Sequence, residues 1–125
     1  MRVFNSTKMN KRQKGKEYEE IAGAFLERHG YKILQYNFHC RYAEIDIIAL
    51  DQGYLVFCEI KYRSNMNMRE TLKSVDLRKQ QRISLAALFY MSRYRYQDIP
   101  CRFDVVGISG RHISLIKNAF ELRGV

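Results

Sequence analysis

The sequence has 125 residues, with 22 Lys plus Arg against 13 Asp plus Glu and a net charge of +9. That length fits one domain with its own core, burying about two-thirds of the surface of the unfolded chain. With 46% apolar and 13% aromatic residues and a single Pro, the composition excludes a disordered, collagen-like or low-complexity chain.

The charge is uneven. Arg2, Lys8, Lys11, Arg12, Lys14 and Lys16 stand in the first sixteen residues without one acid. Such a segment suits a polyanionic partner, because neutralising phosphates releases condensed counterions; a solubilising tail accounts for it equally well. Residues 1–14 are therefore taken as a basic, flexible tail and 15–125 as one α/β domain. Cys40, Cys58 and Cys101 form no C-x-x-C pair, which argues against a disulfide framework or a zinc ribbon and fits a reducing cytoplasm. The N-terminus carries no signal-peptide pattern, and the longest apolar run, Leu85 to Met91, is too short for a bilayer. The expectation is a soluble cytoplasmic protein with no membrane partner.

In chain order, Tyr18, Ile21, Ala22, Phe25 and Leu26 trace a helical stripe that stops at His29-Gly30, predicting a helix over 14–29. Residues 31–38 predict a strand. Residues 44–61 predict a hairpin turning at Asp51-Gln52-Gly53. Ser64 to Arg69 predicts a loop. Leu72, Val75, Ile83, Ala86 and Tyr90 predict one long helix over 72–93, with Ser74 and Asp76 in its first turn. Strands follow at 102–109 and 112–116. The order αβββαββ implies a mixed sheet with helices against it.

Glu44, Asp46, Glu59 and Lys61 interrupt apolar strands, where charge is costly unless paired or metal-bound. A two- or four-residue loop puts Asp46 opposite Glu59 and Glu44 opposite Lys61; a three-residue loop puts Asp46 opposite Cys58. Directly opposed Cβ atoms are about 5 Å apart, so two carboxylates there repel unless a cation lies between them. Oxygen ligands suit Mg²⁺ or Mn²⁺, and Lys61 on the same face can assist an attacking water. Asp…Glu-x-Lys in a basic protein outlines metal-assisted phosphodiester hydrolysis. The plainer account is a solvated face with a Glu44–Lys61 ion pair, and the short pattern alone favours it.

The segments Asn37-Phe-His-Cys-Arg-Tyr-Ala-Glu44-Ile-Asp46-Ile-Ile and Leu55-Val-Phe-Cys-Glu59-Ile-Lys61-Tyr-Arg63 resemble the bacterial UPF0102 (YraN-like) family. That family is similar to restriction-endonuclease-like PD-(D/E)xK nucleases and, distantly, to archaeal Holliday-junction resolvases. Gly15…Glu19…Ala22, Lys79…Arg82-Ile83, Arg102-Phe103-Asp104 and Asn118-Ala119-Phe120 extend the likeness over about residues 15–120. The resemblance implies a restriction-endonuclease-like α/β fold. It implies Asp46, Glu59 and the Ile60 carbonyl as ligands of Mg²⁺ or Mn²⁺, Lys61 as the catalytic lysine, and Glu19 and Glu44 as accessory acids. Lys79, Arg82, Arg63, Lys14 and Lys16 are the candidate nucleic-acid contacts; a lysine snorkelling from the edge of the core accounts for Lys79 equally well, and a solvated surface is the alternative for Arg82. The sequence departs from the family at Tyr18, at Ala43 and at Met66-Asn67-Met68, where a small residue, a Gly and a Phe-Gly are expected.

Other residues have plainer explanations. Asp104 is expected in a structural salt bridge with Arg102. Tyr90, Arg93, Tyr94, Arg95 and Tyr96 interleave bases with aromatics in a pattern that can stack on unpaired bases, but core packing for Tyr90 and a solvated helix end for the rest is the favoured account. His29, His39 and His112 are expected to be isolated surface or capping residues. Three functions stand against one another: a metal-dependent endonuclease acting on DNA ahead of RNA, branched or damaged DNA included; a non-catalytic nucleic-acid-binding protein on the same fold; and an interaction scaffold. Resolvase-like relatives suggest a homodimer.

Overall fold

The computed structural model describes residues 11–62 and 68–124. The elements are α1 (Lys11–Arg28), β1 (Lys32–His39), β2 (Glu44–Asp51), β3 (Tyr54–Tyr62), α2 (Met68–Lys73), α3 (Leu77–Arg93), β4 (Cys101–Ser109) and β5 (His112–Phe120). The tail before Lys11, Arg63 and most of the expected 64–69 loop lie outside the described residues. No described helix is long and apolar enough to cross a membrane.

The five strands lie in the order β1-β2-β3-β4-β5. Only β3 and β4 are parallel, joined by the crossover that contains α2 and α3; the other neighbours are antiparallel. This is the mixed α/β architecture expected, and it is compatible with a restriction-endonuclease-like fold. One face of the sheet buries Ile47, Ala49, Val56, Cys58 and Val106 against Ala22 and Leu26 of α1. The other buries Ile48, Leu55, Phe57, Phe103 and Val105 against Ile83, Ala86, Ala87 and Tyr90 of α3.

Local chemistry sets the element ends. Gly30, at φ 91°, closes α1: Tyr31 N–H donates to Leu26 C=O at 3.0 Å and Gly30 N–H to Glu27 C=O at 3.0 Å. His29 Nδ1 lies 2.8 Å from the Phe25 carbonyl, the capping role expected of it. Gln52 and Gly53, both with positive φ, form the two-residue turn of the β2–β3 hairpin, so Asp51 faces Tyr54 and Ile47 faces Cys58.

Two expectations about helices are corrected. Helix α1 starts three residues before the stripe suggested, and Ile21 of that stripe is exposed. Gly23 is buried instead, so close to Tyr36 that a Cβ there would meet the ring hydroxyl. The single helix expected over 72–93 is two, α2 and α3, separated at Ser74-Val75-Asp76. Asp76 is the N-cap of α3, its Oδ1 accepting from Lys79 N–H at 2.9 Å. Asp76→Ala is expected to lower stability by about 1 kcal/mol, with Asp76→Ser retaining most of it; thermal unfolding of both variants checks this. An alanine variant as stable as wild type would show that α3 is held by packing alone.

Candidate metal and nucleic-acid site

The site forms where β2 and β3 part. Their ladder stops at Ile47↔Cys58. Beyond it, Asp46 Oδ2 accepts from the Ile60 N–H at 2.8 Å, taking the place of a strand partner. The Ile60 carbonyl leaves the strand on the same side as that N–H. Asp46 also hydrogen-bonds Glu59. The hairpin register thus brings Asp46 and Glu59 together, as the two-residue loop required.

Glu44 behaves differently from expectation. Strict alternation puts Glu44, Asp46 and Ile48 on one face. In β1, however, Tyr36 packs on α1 while Phe38 joins the core under α3, although the two positions are of equal parity. Between them Asn37 adopts φ 57°, the left-handed region that Asn tolerates. The paired strand β2 switches in step: Ile47 lies on the α1 side and Ile45 on the α3 side. Glu44 therefore lies opposite His39, not Lys61, and its Oε1 is 3.8 Å from His39 Nε2. His39 is consequently not the isolated histidine expected.

Glu44 meets Glu19 of α1 there. One carboxylate oxygen from each of Glu19, Glu44 and Asp46 lies within 4.8 Å of the others, a group able to hold a metal ion. Burial raises the Glu19 carboxyl above the usual range, and the Glu44 charge raises it further against the opposing pull of His39 and Lys16. Asn37 Nδ2 reaches Glu19 Oε1 at 3.5 Å. Asp46 is shifted most, to about 9, chiefly by burial and then by the hydrogen bond and charge of Glu59. The metal-free site therefore holds a proton at neutral pH. Oε2 of Glu59 is buried, and Lys79 Nζ stands 3.0 Å from it as an ion pair.

Lys79 is half-buried. Burial alone would lower its pKa, but Glu59 and a hydrogen bond to Lys61 outweigh that and raise it. Tyr62, next to Lys61, stacks on Tyr18 with ring centroids 4.3 Å apart, and this contact joins α1 to the end of β3. Burial and the Tyr62 hydrogen bond push the Tyr18 hydroxyl up to about 12. Tyr18, a departure in the sequence, has a packing role at the site's rim.

Two open clefts meet at Glu44. One, of about 490 Å³, is lined by Glu44, Asp46, Glu59 and Asp76, and by Arg78, Lys79 and Arg82 of α3. The other, of about 700 Å³, lies on the α1 side and includes Lys16, Glu19, Asn37 and His39. Lys14, two residues before Lys16, lies about half a turn away, on the opposite side of α1 from that cleft. The residues that sequence reasoning missed are Asn37, His39 and Tyr42. Asn37 carried a signal, since Asn inside a strand marks a left-handed backbone position.

Residues 18–108 match the uncharacterised protein family UPF0102. The chain belongs to the UPF0102 family. A UPF0102 protein of Lachnoclostridium phytofermentans is 44% identical over 117 residues, covering 93% of this chain and 99% of that one. One from Legionella pneumophila strain Corby is 44% identical over 112 residues, covering 87% and 95%. One from Syntrophus aciditrophicus is 46% identical, covering 86% and 88%. The matched UPF0102 segment contains Glu19, Glu44, Asp46, Glu59, Lys61 and Lys79.

Proposed function

We propose that this UPF0102 protein is a cytoplasmic, metal-dependent endonuclease that hydrolyses phosphodiester bonds of DNA, branched DNA included. The observation that carries the reading is the Asp46–Glu59 carboxylate pair, Glu59 buried and Asp46 half-buried, in a cleft rimmed by Arg78, Lys79 and Arg82. An all-oxygen donor set fits Mg²⁺ or Mn²⁺. Asp46, Glu59 and the Ile60 carbonyl would hold the ion, with Glu19 and Glu44 extending the acidic set. A bound cation supplies charge stabilisation at the phosphate and acidifies a water.

The chain's own groups do the rest. Lys79 contacts both Glu59 and Lys61, and the Glu59 charge favours its protonated form, so a cation stands beside Lys61 at the cleft. Lys61 would orient the attacking water or take its proton. Arg78 and Arg82, exposed along α3 at the cleft, are placed to meet the phosphates flanking the scissile bond.

A second reading, a nucleic-acid-binding protein without turnover, has one observation in its favour: Lys79 already supplies Glu59 with a cation. Asp46→Asn separates the two. Because Asp46 keeps its proton to about pH 9 when folded and to about 3.9 when unfolded, stability of the metal-free protein falls as pH rises through that window. Asp46→Asn mimics the protonated form and is expected to flatten that fall in EDTA. Mn²⁺ is expected to stabilise wild type by about 2.7 kcal/mol at a hundred times its dissociation constant, and more readily at higher pH. Asp46→Asn and Glu59→Gln are expected to lose most of that response. An equal Mn²⁺ effect on the melting temperature of all three proteins would leave the binding reading standing and remove the metal site.

A further inference from the structure

We propose that the groove between the β1–β2 turn and the end of α3 binds an unpaired nucleic-acid strand, stacking bases on Phe89 and Tyr94 and pairing phosphates with Arg41 and Arg93. This deepens the function proposed above and rests on its nucleic-acid substrate. The groove has a volume of about 450 Å³ and adjoins the acidic cleft through the turn: Arg41 lines the groove and its neighbour Tyr42 lines the cleft. The two differ in charge. Among the described residues the groove lining has Arg41, Arg93 and His39 and no carboxylate, whereas the cleft has four.

The apolar part is equally specific. Phe89 and Tyr94 lie on the outer side of α3 and are 39% and 46% exposed, although the buried Phe38 and Tyr90 beside them show that the core was within reach. The Arg93 guanidinium stands 5.7 Å over the Tyr94 ring, and the Arg41 guanidinium 4.8 Å over Tyr42. Exposed rings interleaved with guanidinium groups suit bases and phosphates in alternation. A duplex cannot use the rings, because its base faces are already stacked on one another. The fitting occupant is a strand that leaves a duplex near the site, such as a flap or a junction arm.

The test is equilibrium binding of the full chain in EDTA, read by fluorescence anisotropy. The probes are a flush-ended DNA duplex, the same duplex with an oligo-dT overhang, and free oligo-dT and oligo-U. Wild type is expected to bind the overhang duplex about tenfold more tightly than the flush one, the scale of one base–aromatic stack. Phe89→Ala and, separately, the more exposed Tyr94→Ser are each expected to reduce that factor, and the double variant to erase it, with flush-duplex affinity unchanged. Arg93→Glu is expected to weaken every probe that has a free strand. An overhang preference that survives both aromatic substitutions, or is absent from wild type, overturns the groove and leaves duplex binding in place. Failure of wild type to bind any probe overturns the nucleic-acid reading itself, and a peptide becomes the occupant to seek.

Discussion

Arg102→Met is expected to destabilise the protein by about 3–5 kcal/mol, the cost of leaving a buried charge without its partner. Arg102 is the second residue of β4 and is itself buried. Its Nε donates to Asp104 Oδ1 at 2.9 Å, and a terminal nitrogen donates to Asp104 Oδ2 at 2.9 Å, to Asp51 Oδ2 at 2.8 Å and to the Tyr31 hydroxyl at 3.0 Å. Asp104 is fully buried, and its remaining donors are neutral: the Tyr31 hydroxyl at 2.6 Å and the Asn118 N–H at 3.0 Å. Asp51 keeps Lys117 at 3.1 Å when the arginine is gone; Asp104 keeps no cation from this network. The double variant Arg102→Met, Asp104→Asn removes the stranded charge; the amide oxygen can still accept from the Asn118 N–H, and the amide NH2 can donate to the Tyr31 hydroxyl, whose oxygen the arginine no longer occupies. It is expected to be more stable than Arg102→Met alone, in urea unfolding followed by circular dichroism. A loss below about 1 kcal/mol in the single variant would mean that water reaches and solvates Asp104.

The Arg102–Asp104 pair was legible in the sequence, because two opposite charges two residues apart in an apolar strand share a face. Asp51 was read only as a turn residue; nothing local shows that a hairpin end will lie beside the start of a strand fifty residues on. The hairpin was legible for a stronger reason. Asp51-Gln52-Gly53 marks the turn but leaves its length open; in the structure it is a two-residue turn with Gln52 and Gly53 both at positive φ, and that fixes the register as far as Ile47↔Cys58. Asp46 and Glu59 follow from it. Glu44 does not, because parity counting assumes an unbroken pleat, and the left-handed Asn37 turns β1 and β2 over together. The joint between α2 and α3 was hidden by phase: Val75 is buried in the connection and continues the apolar spacing towards Ile83, so periodicity saw one helix. The Asp76 cap was visible in the sequence, but as an alternative to that periodicity. Glu19 entered through the family resemblance, since no spacing rule links a helix position to a strand carboxylate that it meets only in the folded chain.

Lys61→Ala is expected to lower DNA cleavage by about 10²–10⁴-fold, the usual contribution of one positioned proton acceptor. The readout is a panel of linear, flapped, single-stranded and four-way-junction DNA with Mg²⁺, Mn²⁺ or EDTA. The fold should survive, because Lys61 stands near the end of β3, past the last β2 partner, while its β4 partner Gly107 keeps the backbone paired. The Mn²⁺ shift in melting temperature should survive as well, since Asp46, Glu59 and Glu19 remain. That combination separates loss of chemistry from loss of metal. Lys61→Arg tests the chemistry more sharply: a guanidinium keeps the charge but does not give up its proton in water, so it cannot accept one. If Lys61 served only as a positive charge near the phosphate, arginine would restore much of the rate. If it accepts the proton, Lys61→Arg stays as slow as Lys61→Ala, and the rise of the wild-type rate with pH is lost in both. Near-normal cleavage by Lys61→Ala would place the proton acceptor elsewhere in the cleft, with Glu44 beside His39 the next group to replace.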